Sequence, residues 1–324
     1  MIDRVPQVAA ALVLPIAALL GYIVATEWLL GRLPAGARPR VRPWVWIGPA
    51  LAFVGFFLIA PAIQTIVLSL KDATSTSFVG ADNYIAVLSD PNVHLAIRNN
   101  VFWWIAFFTS FVLIDGLVIA VLADRVRYES IAKSLIFLPQ AISFVAAGTI
   151  WKFIYSYQPP GVEQTGTLNA LLVGFGGEPH PWLAEAPTNN LLLIVVGVWA
   201  WAGFATVILS ASLKGVPVEL MEAARLDGAS ELMVFRRITL PLLMPTITVV
   251  ATTLVVFALK AFDVVYVMTN GNFDTEVLAN RMYKEMFTVR NYGRASAVAV
   301  LLLVGIVPVL LFNLRRFREQ ESIR

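Results

Sequence analysis

The chain has 324 residues, 58% of them apolar and only 14% charged, and a formal net charge of +3; its mean hydropathy is +0.76. Soluble domains carry about 25% charged residues, so soluble, disordered and nucleic-acid-binding classes are excluded. The absence of cysteine removes disulfide scaffolds, zinc fingers and cysteine catalysis, while His94 and His180 are too far apart for a metal site.

About 20 consecutive apolar residues cross the hydrocarbon of a bilayer. Seven stretches qualify, in chain order 5–26, 44–70, 101–123, 134–151, 191–213, 241–259 (extending toward 268) and 295–312. Within these limits only the third holds an ionisable residue, Asp115. The fold class predicted is an all-α integral membrane protein. No alternation of apolar and polar residues suggests a membrane barrel.

The first stretch is too long for a secretory h-region and lacks a net-positive start, so it is predicted to be a retained accessory helix over 1–30. A basic linker follows at 31–43, with Arg32, Arg38, Arg40 and Arg42, and the core at 44–324. Basic residues favour the cytoplasmic side. They concentrate in 31–43, in 124–133 (Arg125, Arg127, Lys133), in 214–240 and in the tail (Arg315, Arg316, Arg318, Arg324). This alternation predicts an outside N-terminus and a cytoplasmic C-terminus.

Between the fifth and sixth stretches, the loop 214–241 carries the most organised polar pattern. Pro217 suits a first helical turn, Glu219 the positive end of that helix, Gly228 its left-handed close and Ser230 the cap of a second helix. Ala223 and Ala224 leave a shallow surface, ringed by Glu222, Arg225 and Asp227, that a partner's groove can approach. An ordinary solvated connector is the alternative reading of the same residues.

Glu222-Ala223-Ala224, then Gly228, then Ile238-Thr239-Leu240-Pro241 resembles the coupling-helix motif of type I ABC importer permeases. Phe78-Val79-Gly80 with Asn83-Tyr84, Leu138-Pro139-Gln140 within 137–151, and Phe262 to Gly271 are similar to segments of the carbohydrate, maltose/α-glucoside-like group. Asn272-Phe273 departs from the Gly-Pro often found there. The resemblance covers roughly 44–318, and the N-terminal extension is similar to that of the larger permease subunit of these importers. It implies a six-helix permease core in a bacterial or archaeal plasma membrane. It also implies a second homologous permease subunit, two ATP-binding subunits or domains and an extracytoplasmic sugar-binding protein. ATP and Mg would then sit on the partner ATPases, with no cofactor on this chain. Glu222, Ala223, Ala224, Arg225, Asp227, Gly228, Ile238, Leu240 and Pro241 are the expected coupling residues.

The chain lacks the Gly-rich Gly-Lys-Ser/Thr phosphate loop and any Gly-Lys pair, which makes it a non-enzyme by itself. Sugar binding calls for aromatic faces beside polar groups. Trp199, Trp201, Phe204, Phe257, Lys260, Asp263, Tyr266, Gln140, Ser143 and Thr149 offer both. By the resemblance, Trp201, Phe204 and Phe257 match sugar-pocket positions, whereas Ala258 and Ala261 replace polar ones. Packing is the alternative for every aromatic residue, and a kink after Pro139 explains Gln140 equally well. Lys260 and Asp263, three residues apart on one helical face, could form an ion pair or contact sugar, and Lys260 could instead snorkel. Asp115 reads as a helix-to-helix contact. Trp182, Tyr157, Glu163, Asp274 and Glu276 are candidates for docking the binding protein.

The resulting expectation is a permease subunit importing an α-glucoside or another di- or oligosaccharide. Alternatives are the same importer type for glycerol-phosphate or another small polar solute, an ion-coupled secondary transporter, and a membrane scaffold or receptor subunit.

Overall fold

The computed structural model describes residues 5–124 and 126–321, with side chains of 1–12, 15, 125, 310 and 312–324 outside the described set. Arg125 and the four tail arginines invoked for orientation are therefore outside it. Two compact units divide between Thr65 and Ile66. Among the described residues there is no strand, only an isolated antiparallel bridge between Lys71 and Phe78.

In the first unit, α1 (Val5–Arg32) folds back onto the start of α2 (Arg38–Ser69). The Tyr22 hydroxyl donates to the Val45 carbonyl, and its ring meets Trp46 edge-on at 6.2 Å. Arg42 pairs with Glu27 at 2.8 Å. The basic stretch is mostly helical: only residues 33–37 separate α1 from α2, and Arg38, Arg40 and Arg42 lie in the first turns of α2. Pro43 and Pro49 sit inside α2, as membrane helices tolerate.

The second unit comprises α3 (Asp82–Leu88), α4 (Pro91–Ala123), α5 (Glu129–Phe137), α6 (Phe144–Ile154), α7 (Thr167–Gly174), α8 (Thr188–Lys214), α9 (Val218–Leu226), α10 (Glu231–Leu259), α11 (Asp263–Met268), α12 (Leu278–Tyr283) and α13 (Tyr292–Glu321). Among the described residues, five helices are long and apolar enough to cross a membrane: α2, α4, α8, α10 and residues Tyr292–Val309 of α13. A bent pair makes a sixth. Helix α4 starts ten residues before the apolar run, because Asp90 accepts the Asn92 N–H at 2.8 Å and Pro91 opens the first turn.

Helix α8 is the hub. Its small residues Gly197, Ala200, Ala202, Gly203 and Ala205 are all buried, and small residues let membrane helices approach closely. A Cβ at Gly203 would stand 2.6 Å from the Ile136 carbonyl oxygen and the Phe137 Cα, and one at Gly116 of α4 would stand 2.5 Å from the Ala205 Cβ. Gly203→Ala is therefore expected to destabilise the fold by about 1–3 kcal/mol through overpacking. Thermal unfolding in nanodiscs checks this, with Gly48→Ala, whose added methyl meets nothing within 4 Å, as the near-neutral control.

Two predicted continuities are corrected. The stretch 134–151 is not one helix: the segment Glu129–Ala141 and α6 are bent by 97°. Pro139 lies in a tight 3₁₀ turn over Leu138–Ala141, Ile142 is extended, and the Ser143 hydroxyl accepts the Ala146 N–H at 3.2 Å to start α6 afresh. Apolar composition runs unbroken through this corner, so length alone could not reveal it. Helix α10 likewise stops at Leu259 instead of extending toward Met268, with Lys260 and Phe262 outside helical geometry before α11 begins.

Non-helical backbone at such a depth needs partners within the protein. Asn100 of α4 supplies them: its carboxamide donates to the Ala258 and Leu259 carbonyls at 3.2 and 3.4 Å and accepts the Leu278 N–H at 2.9 Å. Asn99 donates to the Asp274 and Glu276 carbonyls at 2.7 and 2.9 Å. Asn189 and Asn190, at the start of α8, bind the Phe273 and Asp274 carbonyls. Two Asn-Asn pairs thus lock the 273–278 segment across the ends of two membrane helices. Asn100→Leu is expected to cost about 1–3 kcal/mol, since it orphans buried backbone groups, read as a lowered unfolding midpoint of the purified protein.

Candidate functional site

The loop after α8 forms a compact elbow. Helix α9 starts directly after Pro217, which sits at the cap position with extended ψ and not within the first turn. Gly228 closes α9 at φ +83°. Its N–H bonds to the Arg225 carbonyl and the Ala229 N–H to that of Ala224, both at 3.0 Å. This pair of bonds is the Schellman arrangement, which requires a left-handed residue between them. Ser230 then caps α10, accepting from the Met233 N–H at 3.4 Å.

Arg225 braces the corner. Its Nε and Nη2 donate to the two carboxylate oxygens of Glu231 at 2.7 and 3.2 Å, and this pairing holds the guanidinium above its usual pKa. Both side chains are exposed, so the pair fixes the angle of the elbow more than it stabilises the fold. Glu222, Ala223 and Asp227 are exposed as well, and Ala224 is half-buried. Ile238 and Leu240 are half-buried where α10 enters the bundle, and Pro241 is exposed. Leu226, which the sequence did not single out, projects with 89% of its surface exposed, and Val218, Leu220 and Leu232 are exposed around it. An apolar knob set among fixed charges is a surface suited to a protein groove.

The elbow rests on a polar brace that the sequence also failed to announce. Glu129 at the start of α5 binds Lys214 at 2.7 Å and also Lys133, which in turn reaches Ser210. It ties the end of α8, from which the elbow springs, to α5. Behind the elbow, Val121, Asp124, Leu213, Met221, Arg225, Val234, Phe235 and Thr239 line a crevice.

Deeper in the second unit, α8 and α10 bring three of the predicted aromatic residues together. The Trp201 ring lies 4.5 Å from Phe257 and 5.2 Å from Phe204. Phe144 at the start of α6 stacks 6.2 Å from Trp201 and 5.1 Å from Phe257. Trp199 belongs to a different contact, with Trp151 at 5.7 Å, and Tyr266 packs on Phe262 and Tyr283. The Trp201 Nε1 and the Gln140 Oε1 are buried without a hydrogen-bond partner among the described residues. Gln140 lies on the 3₁₀ turn packed against α8. Ser143 and Thr149 are occupied locally, as cap and as donor to Val145.

Lys260 and Asp263 do not share a helical face. The break after Leu259 separates them, and no ion pair joins them among the described residues. Both line one small crevice with Trp104, Phe144, Phe257, Ala261 and Phe262. Ala258 is fully buried.

The outer-loop candidates divide. Tyr157, Glu163 and Asp274 are at least partly exposed. Glu276 is buried and spoken for, bonded to Asn280 at 2.5 Å and to Lys284 at 2.7 Å. The Trp182 indole donates to the Asn169 side-chain Oδ1 at 2.9 Å. Both side chains are thus held by bonds within this chain.

Comparison with known proteins places this geometry. A profile described as "Binding-protein-dependent transport system inner membrane component" matches residues 116–317. The osmoprotective compounds uptake permease protein GgtC of Synechocystis is 50% identical over 280 residues, covering 86% of this chain and all of that one. The alpha-glucoside transport system permease protein AglF of Rhizobium meliloti is 44% identical over 87% of this chain and 84% of its own length. A chain of a bacterial ABC transporter involved in the import of the acidic polysaccharide alginate superposes with a TM-score of 0.73 at 21% identity, covering 88% of this chain and 97% of that one.

Proposed function

The chain belongs to the family of binding-protein-dependent transport system inner membrane components, and from that premise we propose that it is one of two permease subunits through which an α-glucoside is imported. As a family member it is a multi-pass, non-catalytic part of an ABC importer, with ATP hydrolysed on a separate subunit. The observation that carries the finer reading is the elbow: a capped, braced hairpin with Glu222, Ala223 and Leu226 turned outward. Seated in a cleft of an ATPase, it would pass the closure of that ATPase on ATP and Mg to α8 and α10. The elbow then faces the cytoplasm, the tail shares that side, and the N-terminus lies outside.

The substrate reading rests on the relatives and on chemistry. The names of AglF and of the other sugar permeases among the relatives favour a glycoside. Aromatic faces of Trp201, Phe204 and Phe257 suit the apolar C–H faces of a sugar ring, and the unpaired Trp201 N–H and Gln140 oxygen suit its hydroxyls. A small osmoprotective solute is the second reading, favoured by the GgtC relative. A phosphate ester is disfavoured because Asp263 shares the crevice of Lys260.

The test is uptake of a labelled α-glucoside into proteoliposomes holding both permeases and the ATPases, with ATP and Mg on the ATPase side and loaded binding protein on the other. ATP-dependent accumulation is expected. Accumulation unaffected by removing ATP or the binding protein would refute the proposal.

A further inference from the structure

Helix α4 has two sides with different chemistry. Val112, Gly116, Ala120 and Ala123 are buried, and Gly116 abuts Ala205 of α8. On the other side Phe111, Ile114, Val118 and Leu122 are exposed. At about 100° per residue, Asp115 shares the sector of Phe111, Val118 and Leu122. It is half-buried and has no hydrogen bond or ion pair among the described residues. The sequence reading of Asp115 as a helix-to-helix contact thus finds no polar partner among the described residues.

A carboxylate in this position cannot be left to lipid. Asp115 lies eight residues before the end of the helix at Ala123, about 12 Å along the axis at 1.5 Å per residue. Its short side chain cannot reach the interface over that distance as a lysine would. Ionisable groups within membrane helices face protein or a water-filled cavity and pair with a polar group. The exposed stripe also continues into a mainly apolar groove lined by Ile114, Val118, Leu122, Leu232 and Phe235, with Glu231 at its edge, which widens the surface available to a packed helix.

We propose that the Phe111–Asp115–Val118–Leu122 face of α4 is the seat of the second permease subunit, which presents a hydrogen-bond donor or a cation to Asp115. The inference rests on the two-permease reading above and adds to it the face and the chemistry of the contact. The apolar residues give the area; Asp115 sets the register and selects the partner, because a mismatched helix would leave the carboxylate unpaired.

The experiment uses the complex co-expressed with a tagged second permease. A photo-reactive benzoylphenylalanine replaces Val118 or, separately, Leu122. Irradiation is expected to give an adduct of this chain with the second permease. Asp115→Leu is expected to lower the amount of second permease that co-purifies at least about tenfold, while Asp115→Asn, which still accepts a hydrogen bond, keeps most of it. Adducts only to lipid or to this chain's own first helix, or full assembly of Asp115→Leu, would overturn the proposal. Cross-linking at Val118 leaves Asp115 intact, so its result stands even if Asp115→Leu fails to fold. If no second permease co-purifies with the unmodified chain, the two-permease reading itself fails. If it co-purifies but Val118 and Leu122 never reach it, only this face is wrong.

Discussion

Glu222→Lys is expected to abolish ATP-driven uptake while leaving the membrane helices assembled. Glu222 is exposed on α9 and makes only a charge interaction with Arg225 inside the chain, which solvent weakens, so a large loss points to a surface that meets a partner. Reversing a charge at a complementary interface puts like charges together, which weakens association by about tenfold or more. Gly228→Pro attacks the same device from inside the chain. Proline fixes φ near −65°, against +83° here, and removes the N–H that binds the Arg225 carbonyl at 3.0 Å. Gly228→Asn is the matched control, because asparagine enters the left-handed region readily. Proteoliposome uptake and ATPase rate, measured together, should show transport lost in Glu222→Lys and Gly228→Pro and largely retained in Gly228→Asn. Wild-type uptake by both disruptive variants would remove the elbow from the mechanism.

The second large effect is expected at Trp201. Trp201→Phe keeps a ring against Phe204, Phe257 and Phe144 but deletes the Nε1–H, which is buried without a partner. A buried donor of this kind calls for an explanation, and a sugar hydroxyl provides one. If that donor binds substrate, its loss is worth about 1–1.5 kcal/mol, or roughly a tenfold fall in uptake at limiting sugar. Stability should change little, and stimulation of the ATPase by loaded binding protein should persist. Unchanged uptake by a folded Trp201→Phe variant would return the aromatic cluster to packing alone. Trp201→Ala is less informative, because deleting a large ring from a packed cluster typically costs about 3–5 kcal/mol of stability.

What the sequence disclosed, and what it hid, follows from the range of the forces involved. The elbow was legible because its parts are local: a left-handed glycine at Gly228 and a cap at Ser230 declare themselves two residues apart. The membrane helices were legible from apolar length. The corner at Ile142 was not, since apolar composition runs through it, and the break at Lys260 was not, since it is held by a distant group, Asn100, through the Ala258 and Leu259 carbonyls. Glu276 reads as a solvated loop carboxylate until the fold brings Lys284 and Asn280 to it. Trp201, Phe204 and Phe257 could be chosen by type and resemblance, yet their meeting with Phe144 depends on a bend of 97° that no local pattern encodes. The twin Asn-Asn pairs at 99–100 and 189–190 were the available clue to the lock on 273–278, each standing at the mouth of an apolar run.

The most direct measurement is the reactivity of a single cysteine in this otherwise cysteine-free chain. Ala223→Cys places a thiol on the exposed face of α9 without disturbing the cap or the brace. Its rate of labelling by a water-soluble maleimide is compared in the isolated permease pair and in the full complex with the ATPases. Protection of about tenfold or more on assembly is the predicted result, in keeping with burial at a protein interface. Equal rates in the two, with and without ATP, would contradict the account.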